Sequence, residues 1–208
     1  FAAGPSIESI LQRMAKLAIP DTADYRSTAT VEAGAVRSSM SAHTIQAGPS
    51  RRWMELEVGG RKMRMVSTDG RTATTDVATG QTMVLPGMEL PEDPTTAMKR
   101  FLASRWNEPR SMGGSRWELV QDVSRDSLVR FRSIEWDDAS GTVERIVQVG
   151  LGGDTTRLDM GWTSTGGHVV PSSVRIAQTS PGATLRTQIT FSDWKFPRSV
   201  PASLFAIP

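Results

Sequence analysis

The chain shows one stretch of helical periodicity near its start and then period-two alternation for most of its length. Ile7, Ile10, Leu11, Met14 and Leu17 recur at spacings of three and four and form one apolar stripe. Ser6 stands at the N-cap position after Pro5, Glu8 lies where a helix dipole favours an anion, and Pro20 bounds the segment. This pattern predicts a helix over 6–19. From Asp24 onward Tyr25, Ala29, Val31 and Ala33 share one phase, and Arg26, Thr28, Thr30 and Glu32 the other. The turn at 32–35 leads into a strand near 36–47, which Gly48-Pro49 breaks. Met54, Leu56 and Val58 then alternate with Trp53, Glu55 and Glu57. Gly59-Gly60 reverses the chain, and Met63 and Met65 return on one face with Lys62 and Arg64 on the other. Asp69-Gly70 and Thr79-Gly80 mark two more reversals around strands at 71–77 and 81–85.

Between Pro86 and Pro94 lie three prolines in nine residues, which suit neither strand nor helix. Ala97, Met98, Phe101, Leu102 and Trp106 then predict a second helix over 95–107, ended by Pro109, Gly113 and Gly114. Alternation resumes at Trp117 and Leu119 and continues through segments near 128–136, 143–149, 158–162, 170–176 and 185–191. Turns such as 137–141, Gly166-Gly167 and Pro181-Gly182 separate them. Val129 and Phe131 keep one phase and Ile134 and Trp136 the other, which predicts a bulge. The expected architecture is mainly β (α+β). It is an incomplete antiparallel β-barrel or strongly curved sheet of about 11–12 strands, as even strand spacing with short turns implies. Helices 6–19 and 95–107 cover its cavity, and residues 1–208 make a single domain.

Composition narrows the chemistry. The chain has no Cys and two His, which removes thiolate chemistry, disulfides and Cys-based metal sites and disfavours a His-rich one. No metal or other cofactor is expected. The net charge is only +2, and the pI of 9.4 reflects a small Arg excess rather than a dense basic stripe, so no nucleic-acid partner is expected. No apolar run approaches the length of a membrane span. The start Phe1-Ala2-Ala3-Gly4 fits a chain trimmed after a secretory signal peptide as well as an arbitrary boundary.

Catalytic signals are weak. His43 and His168 have no local triad partners, and Gly113-Gly114-Ser115 does not match the nucleophile elbow. Asp137-Asp138 reads as turn chemistry, and Gly150 to Asp154 lacks the context of a phosphate loop. No catalytic residue is assigned and no enzymatic activity is expected. Methionine stands out instead: six of the ten fall between Met54 and Met98. Methionine is unbranched and polarizable and adapts to varied apolar shapes. The candidate ligand-binding cavity is therefore lined by Met54, Leu56, Met63, Met65, Met83, Leu85, Met98 and Leu102. Met88 and Leu90 lie in the Pro-rich loop, which would act as its lid. An ordinary filled barrel core is the competing reading of the same residues.

Several stretches together resemble the periplasmic outer-membrane lipoprotein carrier family, LolA and the related receptor LolB. They are Ala47-Gly48-Pro49-Ser50-Arg51-Arg52-Trp53, Val66-Ser67-Thr68-Asp69-Gly70-Arg71, and Asp76 to Val84. The ending Ile189-Thr190-Phe191-Ser192-Asp193-Trp194 with Val200-Pro201-Ala202-Ser203-Leu204-Phe205 completes the pattern. The resemblance implies an incomplete barrel closed by helices and a cavity for lipid or lipoprotein acyl chains. It also implies periplasmic residence after export by a cleaved signal peptide, transport towards the outer membrane, and membrane-bound transport or regulatory proteins as partners. Where the family carries an Arg that holds the lid, this chain has Gly48. The expectation is a non-enzymatic carrier or binder of lipids or acylated lipoproteins. The alternative is a periplasmic regulatory, sensor or scaffold module that binds a protein partner on the same fold.

Overall fold

The structure, a computed structural model, describes residues 4–17, 20–86, 105–121 and 129–207. Helix α1 spans Ile7–Ala15. Its first turn is capped by Ser6, whose Oγ accepts a hydrogen bond from Ser9 N at 3.2 Å. The predicted helix 6–19 is real but shorter. Lys16 N and Leu17 N donate to Arg13 O and Met14 O, three residues back, so the last turn tightens and ends.

Six strands follow: β1 Thr22–Ala33, β2 Val36–Ala47, β3 Arg51–Val58, β4 Arg61–Thr68, β5 Arg71–Asp76 and β6 Thr82–Pro86. Seven more complete the sheet: β7 Arg110–Gly113, β8 Arg116–Val120, β9 Val129–Asp137, β10 Thr142–Gly150, β11 Thr155–Thr165, β12 His168–Ser180 and β13 Ala183–Lys195. The turn residues take the backbone they were read for: Asp69 and Gly70 both have positive φ (48° and 78°), as a two-residue reversal between right-twisted strands requires.

All thirteen strands form one antiparallel sheet in the order β6-β5-β4-β3-β2-β1-β13-β12-β11-β10-β9-β8-β7. The fold class expected from sequence holds. The protein is mainly β, and its sheet is an open, incomplete barrel whose edge strands β6 and β7 do not pair. Two meanders, β1–β6 and β7–β13, join along the β1–β13 ladder.

Two details differ from expectation. The strand β7 occupies residues read as a helix terminus. Residues 105–107 are not helical: Trp106 forms a β-bridge with Gln121, and Asn107 N donates to Val120 O. Trp106 packs against the core cluster, and that packing with the nearby Pro109 outweighs the weak helical periodicity. The rest of the predicted helix 95–107 lies outside the described residues. The β9–β10 register shifts at two places, at Val129/Phe131 and at Val143/Arg145 opposite Trp136 and Glu135, and it is regular from Phe131 to Glu135. Phe131 itself points away from the core and is 37% exposed.

The core lies where α1 meets β8–β12. Ile10, Met14 and Leu17 bury against Leu119, Ile134, Trp136 and Val143, with Ile146, Met160 and Trp162 packed around them. Arg13 ties the helix down. Its guanidinium donates to the side chain of Asp138 (2.5 Å) and to the Asp138 carbonyl (2.6 Å), 125 positions away, and lies over the Trp136 ring. On the opposite face of the sheet the C-terminal segment crosses β2–β4. There a 3₁₀ turn, Ala202–Phe205, buries Phe205 against Ala47 and Val66, beside Ile45 and Trp53. Thr68 Oγ1 donates to the Phe205 carbonyl at 2.8 Å.

Truncating Met14, fully buried, to Ala is expected to cost about 2–5 kcal/mol and to lower Tm by roughly 4–20 °C. Met83→Ala, at a site 60% exposed, should shift Tm by no more than about 2 °C. Thermal melts of the two variants check this. A pH test addresses the 137–141 turn. Hydrogen bonds from Ser115 and then Ser140 hold Asp137 down at about 2. A carboxylate depressed in the folded state adds stability above its unfolded value near 3.8 and loses it as pH falls towards 2. Melts between pH 5 and 2 should show a shallower acid-induced loss for Ser115→Ala than for the parent protein.

Candidate functional site

Register decides which side chains share a face. The pairings Leu119–Ile134–Ile146–Leu158–Ile176–Thr187–Val31 run in one row across β8 to β1. This row includes the residues that α1 covers, so its side is called the inner face. A second inner-face row is apolar throughout. It runs Met160–Val174–Ile189–Ala29–Met40–Val58 across β11, β12, β13, β1, β2 and β3. This row carries the apolar surface from the helix-covered half of the sheet into the N-terminal meander.

Two further rows hold the predicted cavity residues. Tyr25–Thr44–Met54–Met65–Thr74–Met83 crosses β1 to β6, and Ser27–Ala42–Leu56–Met63–Asp76 lies beside it. Met54, Leu56, Met63, Met65 and Met83 therefore stand together on one face, as period two requires. Leu85 occupies β6 opposite Thr72. Met88, Leu90, Met98 and Leu102 lie outside the described residues.

Burial separates this patch from the core. Met54, Leu56, Met63 and Met65 are only half-buried, and Met83 is exposed. The helix α1 spans nine residues and packs at the other end of the sheet. The described part of the inner face thus carries a contiguous, partly solvated apolar surface, adjoining a closed core. Large contiguous patches of this kind usually mark a binding surface.

The sequence reading missed an aromatic group at the edge of this patch. Tyr25 stacks on Trp194 with ring centroids 4.3 Å apart, and Phe191 lies 6.1 Å from Tyr25. Asp193, at φ 56°, provides the bulge that places Trp194 there, since Asp tolerates left-handed backbone better than most residues. Trp194 Nε1 donates to the Pro171 carbonyl at 3.2 Å, which fixes the indole. Burial pushes the Tyr25 phenol above its ordinary value near 10, against smaller opposing effects of Arg52 and of a hydrogen bond with Thr44. The signal for this group was available in Tyr25 as the chain's single Tyr, but its partners lie far away in sequence.

The outer face has another character. Arg145 bonds Glu135 at 2.8 Å and Asp159 at 2.6 Å, and Arg157 also bonds Asp159 at 2.9 Å. A groove of about 440 Å³ nearby is lined by residues that include Thr28, Thr30, Arg157, Asp159, Arg175 and Arg186. His43 is also on this side, with Nε2 2.8 Å from Asp24 Oδ1 and its ring edge-on to Trp53. It borders a space of about 260 Å³ with Ser41, Glu55 and Lys62. His168 packs on Phe196. Asp137 accepts hydrogen bonds from the backbone of Ala139 and Ser140, as its turn role requires. Among the described residues no three His, Asp or Glu side chains form a metal-ligating group, and no helix is long and apolar enough to cross a membrane.

Gly48 stands where the resembling family has its lid-holding Arg. It adopts φ 72° and donates its N–H to Asp21 O at 2.6 Å. Left-handed backbone there favours glycine. Arg51 turns to the outer face, where its Nε donates to Ala47 O at 3.2 Å and its guanidinium covers Phe205.

No protein-family model and no curated protein matches this sequence. Solved structures do match in fold. A LolA superfamily protein from Nitrosomonas europaea aligns over 98% of this chain and 99% of its own, with TM-score 0.65 and 12% identity. A domain described as an outer membrane lipoprotein-sorting protein from Vibrio parahaemolyticus aligns over 96% and 95%, with TM-score 0.60 and 12% identity. A DUF1329 family protein from Desulfovibrio piger aligns to the same extent, with TM-score 0.60 and 9% identity. This chain is similar to them in fold over nearly its whole length.

Oxidation with dilute peroxide tests the solvation of the patch. Peptide mass spectrometry should find sulfoxide early at Met83 (60% exposed) and Met112 (49%), and last at Met14 (fully buried). Early oxidation of Met14 would contradict the division between patch and core.

Proposed function

We propose that the protein is a non-enzymatic binder and carrier of acyl chains, taken from lipids or acylated lipoproteins. The observation that carries this reading is the continuous inner face, apolar from Met160 through Met40 to Met54, Leu56, Met63 and Met65 and only half-buried beyond the reach of α1. An acyl chain laid on such a face removes its own apolar surface and that of the protein from water, at about 0.8 kcal/mol per buried CH₂. Methionine side chains suit the role because they repack around chains of different length and curvature. His43 and the Arg145–Glu135–Asp159 network stand on the other side of the sheet from this face.

The likeness in fold to a lipoprotein-sorting domain supports the same reading. On it the chain works in the periplasm, after export, and moves acylated cargo towards the outer membrane. On this reading the Pro-rich loop with Met88 and Leu90 is the lid, and Met98 and Leu102 belong to the lining of the acyl-binding cavity. Membrane-bound donor and acceptor proteins would be its partners.

Native mass spectrometry after gentle purification from membrane-containing cells should reveal co-purified lipid. A fluorescent fatty acid should bind the delipidated protein. The double variant Met54→Glu/Met65→Glu, with circular dichroism unchanged, should lose at least tenfold in affinity for it. Absence of co-purified lipid together with no probe binding would overturn the reading.

A further inference from the structure

Among the described residues two buried side-chain atoms have no hydrogen-bond partner, Gln121 Oε1 and Arg52 Nε, and of these Arg52 carries a charge. Arg52 lies two residues before Met54 in β3 and therefore on the same face, about 7 Å along the strand. Its register partners are Gln46 in β2 and Ser67 in β4. Its Nε is buried with no hydrogen-bond partner, and among the described residues the guanidinium has no ion pair. A buried donor left unpaired costs more than a typical hydrogen bond gains.

The neighbours do not supply an acceptor with charge. Ser67 and Thr72 are buried and bonded to each other at 2.8 Å. Tyr25 bonds Thr44, and burial keeps its phenol protonated, so no tyrosinate balances the guanidinium. In β1–β5 the inner face has one carboxylate, Asp76. It lies at the far end of its row and is taken by Arg61 at 2.9 Å. A positive charge thus stands at one end of the Met54–Met65 surface, beside the Tyr25–Trp194 stack.

We infer that Arg52 is the head-group site of the acyl-binding face, and that the ligand is an anionic amphiphile whose carboxylate or phosphate oxygens bond this guanidinium while its chain lies along Met54, Leu56, Met63 and Met65. A guanidinium is suited to this task because it offers parallel N–H donors in the fork geometry of either anion. The inference rests on the acyl-binding reading above and adds its polarity: the chain enters with its charged end at the Arg52 side.

The test uses four probes with the full chain: oleate, methyl oleate, lysophosphatidate and lysophosphatidylcholine, each competing against a bound fluorescent fatty alcohol. Oleate should bind at least tenfold more tightly than its uncharged ester. Arg52→Gln should remove that preference by weakening oleate about tenfold or more, with methyl oleate unchanged, and Arg52→Lys should restore part of it. Tighter binding of lysophosphatidate than of oleate would identify a phosphate head, and the reverse a carboxylate. Both outcomes support the site. Equal binding of acid and ester, or an oleate affinity indifferent to Arg52→Gln, would overturn the head-group assignment and leave the acyl-binding reading standing. Binding of none of the probes, the fluorescent alcohol included, would overturn both. Unchanged methyl oleate affinity in Arg52→Gln guards against simple misfolding of that variant.

Discussion

The β1–β13 ladder is the constraint on which the remaining structure depends. It pairs strands at opposite ends of the chain; Thr28 and Thr190, whose hydroxyls lie 2.6 Å apart, are 162 positions apart in sequence. Without it the chain would be two separate meanders, each with a half-covered face. Its register also has functional weight. Because side chains alternate with period two, a slip of one residue would turn Ile189 and Phe191 to the opposite side from Ala29 and Val31. The apolar rows that cross from β11 to β3 exist only in the observed register. Contacts this distant are slow to close during folding, and local hairpins with good turn residues reduce that cost.

The two faces divide the labour. Outside, Arg145, Glu135, Asp159 and Arg157 form a half-exposed ion-pair network, which adds little stability per pair but keeps the face solvated and discourages association. Inside, α1 closes one half of the sheet and leaves the methionine half without a covering helix among the described residues. The C-terminal segment, by capping Trp53 and Val66 from outside, stiffens the strands that carry Met54 and Met65 on their other side. A rigid sheet presenting flexible methionines gives a surface with fixed position and adaptable shape.

Much of this was legible from sequence. Alternation placed Met54, Leu56, Met63 and Met65 on common faces of their strands, and Gly59-Gly60 and Asp69-Gly70 fixed the hairpins, because both signals are local. What was not legible came from distant contacts. Asp138 read as a turn residue, but it also anchors Arg13 of α1. Trp106 carried a helical spacing, but its bridge to Gln121 and its place in the core outweighed that weak preference. The stacking of Trp194 on Tyr25 depends on the bulge at Asp193, which only the β1–β13 pairing creates. Arg52 looked like one basic residue of the motif Arg51-Arg52-Trp53; strand parity sends it inward and Arg51 outward, and only the partner strands reveal that among the described residues no carboxylate pairs with it.

The central claim is that an acyl chain lies on the methionine face. Methyl-labelled methionine gives ten reporters spread over the fold. Titration with oleate followed by ¹H–¹³C spectra should shift the methyl signals of Met54, Met63 and Met65 strongly. It should leave Met14, buried under α1, and Met112, on the edge strand β7, nearly unmoved. Shifts confined to Met112, or none at saturating ligand, would contradict the account.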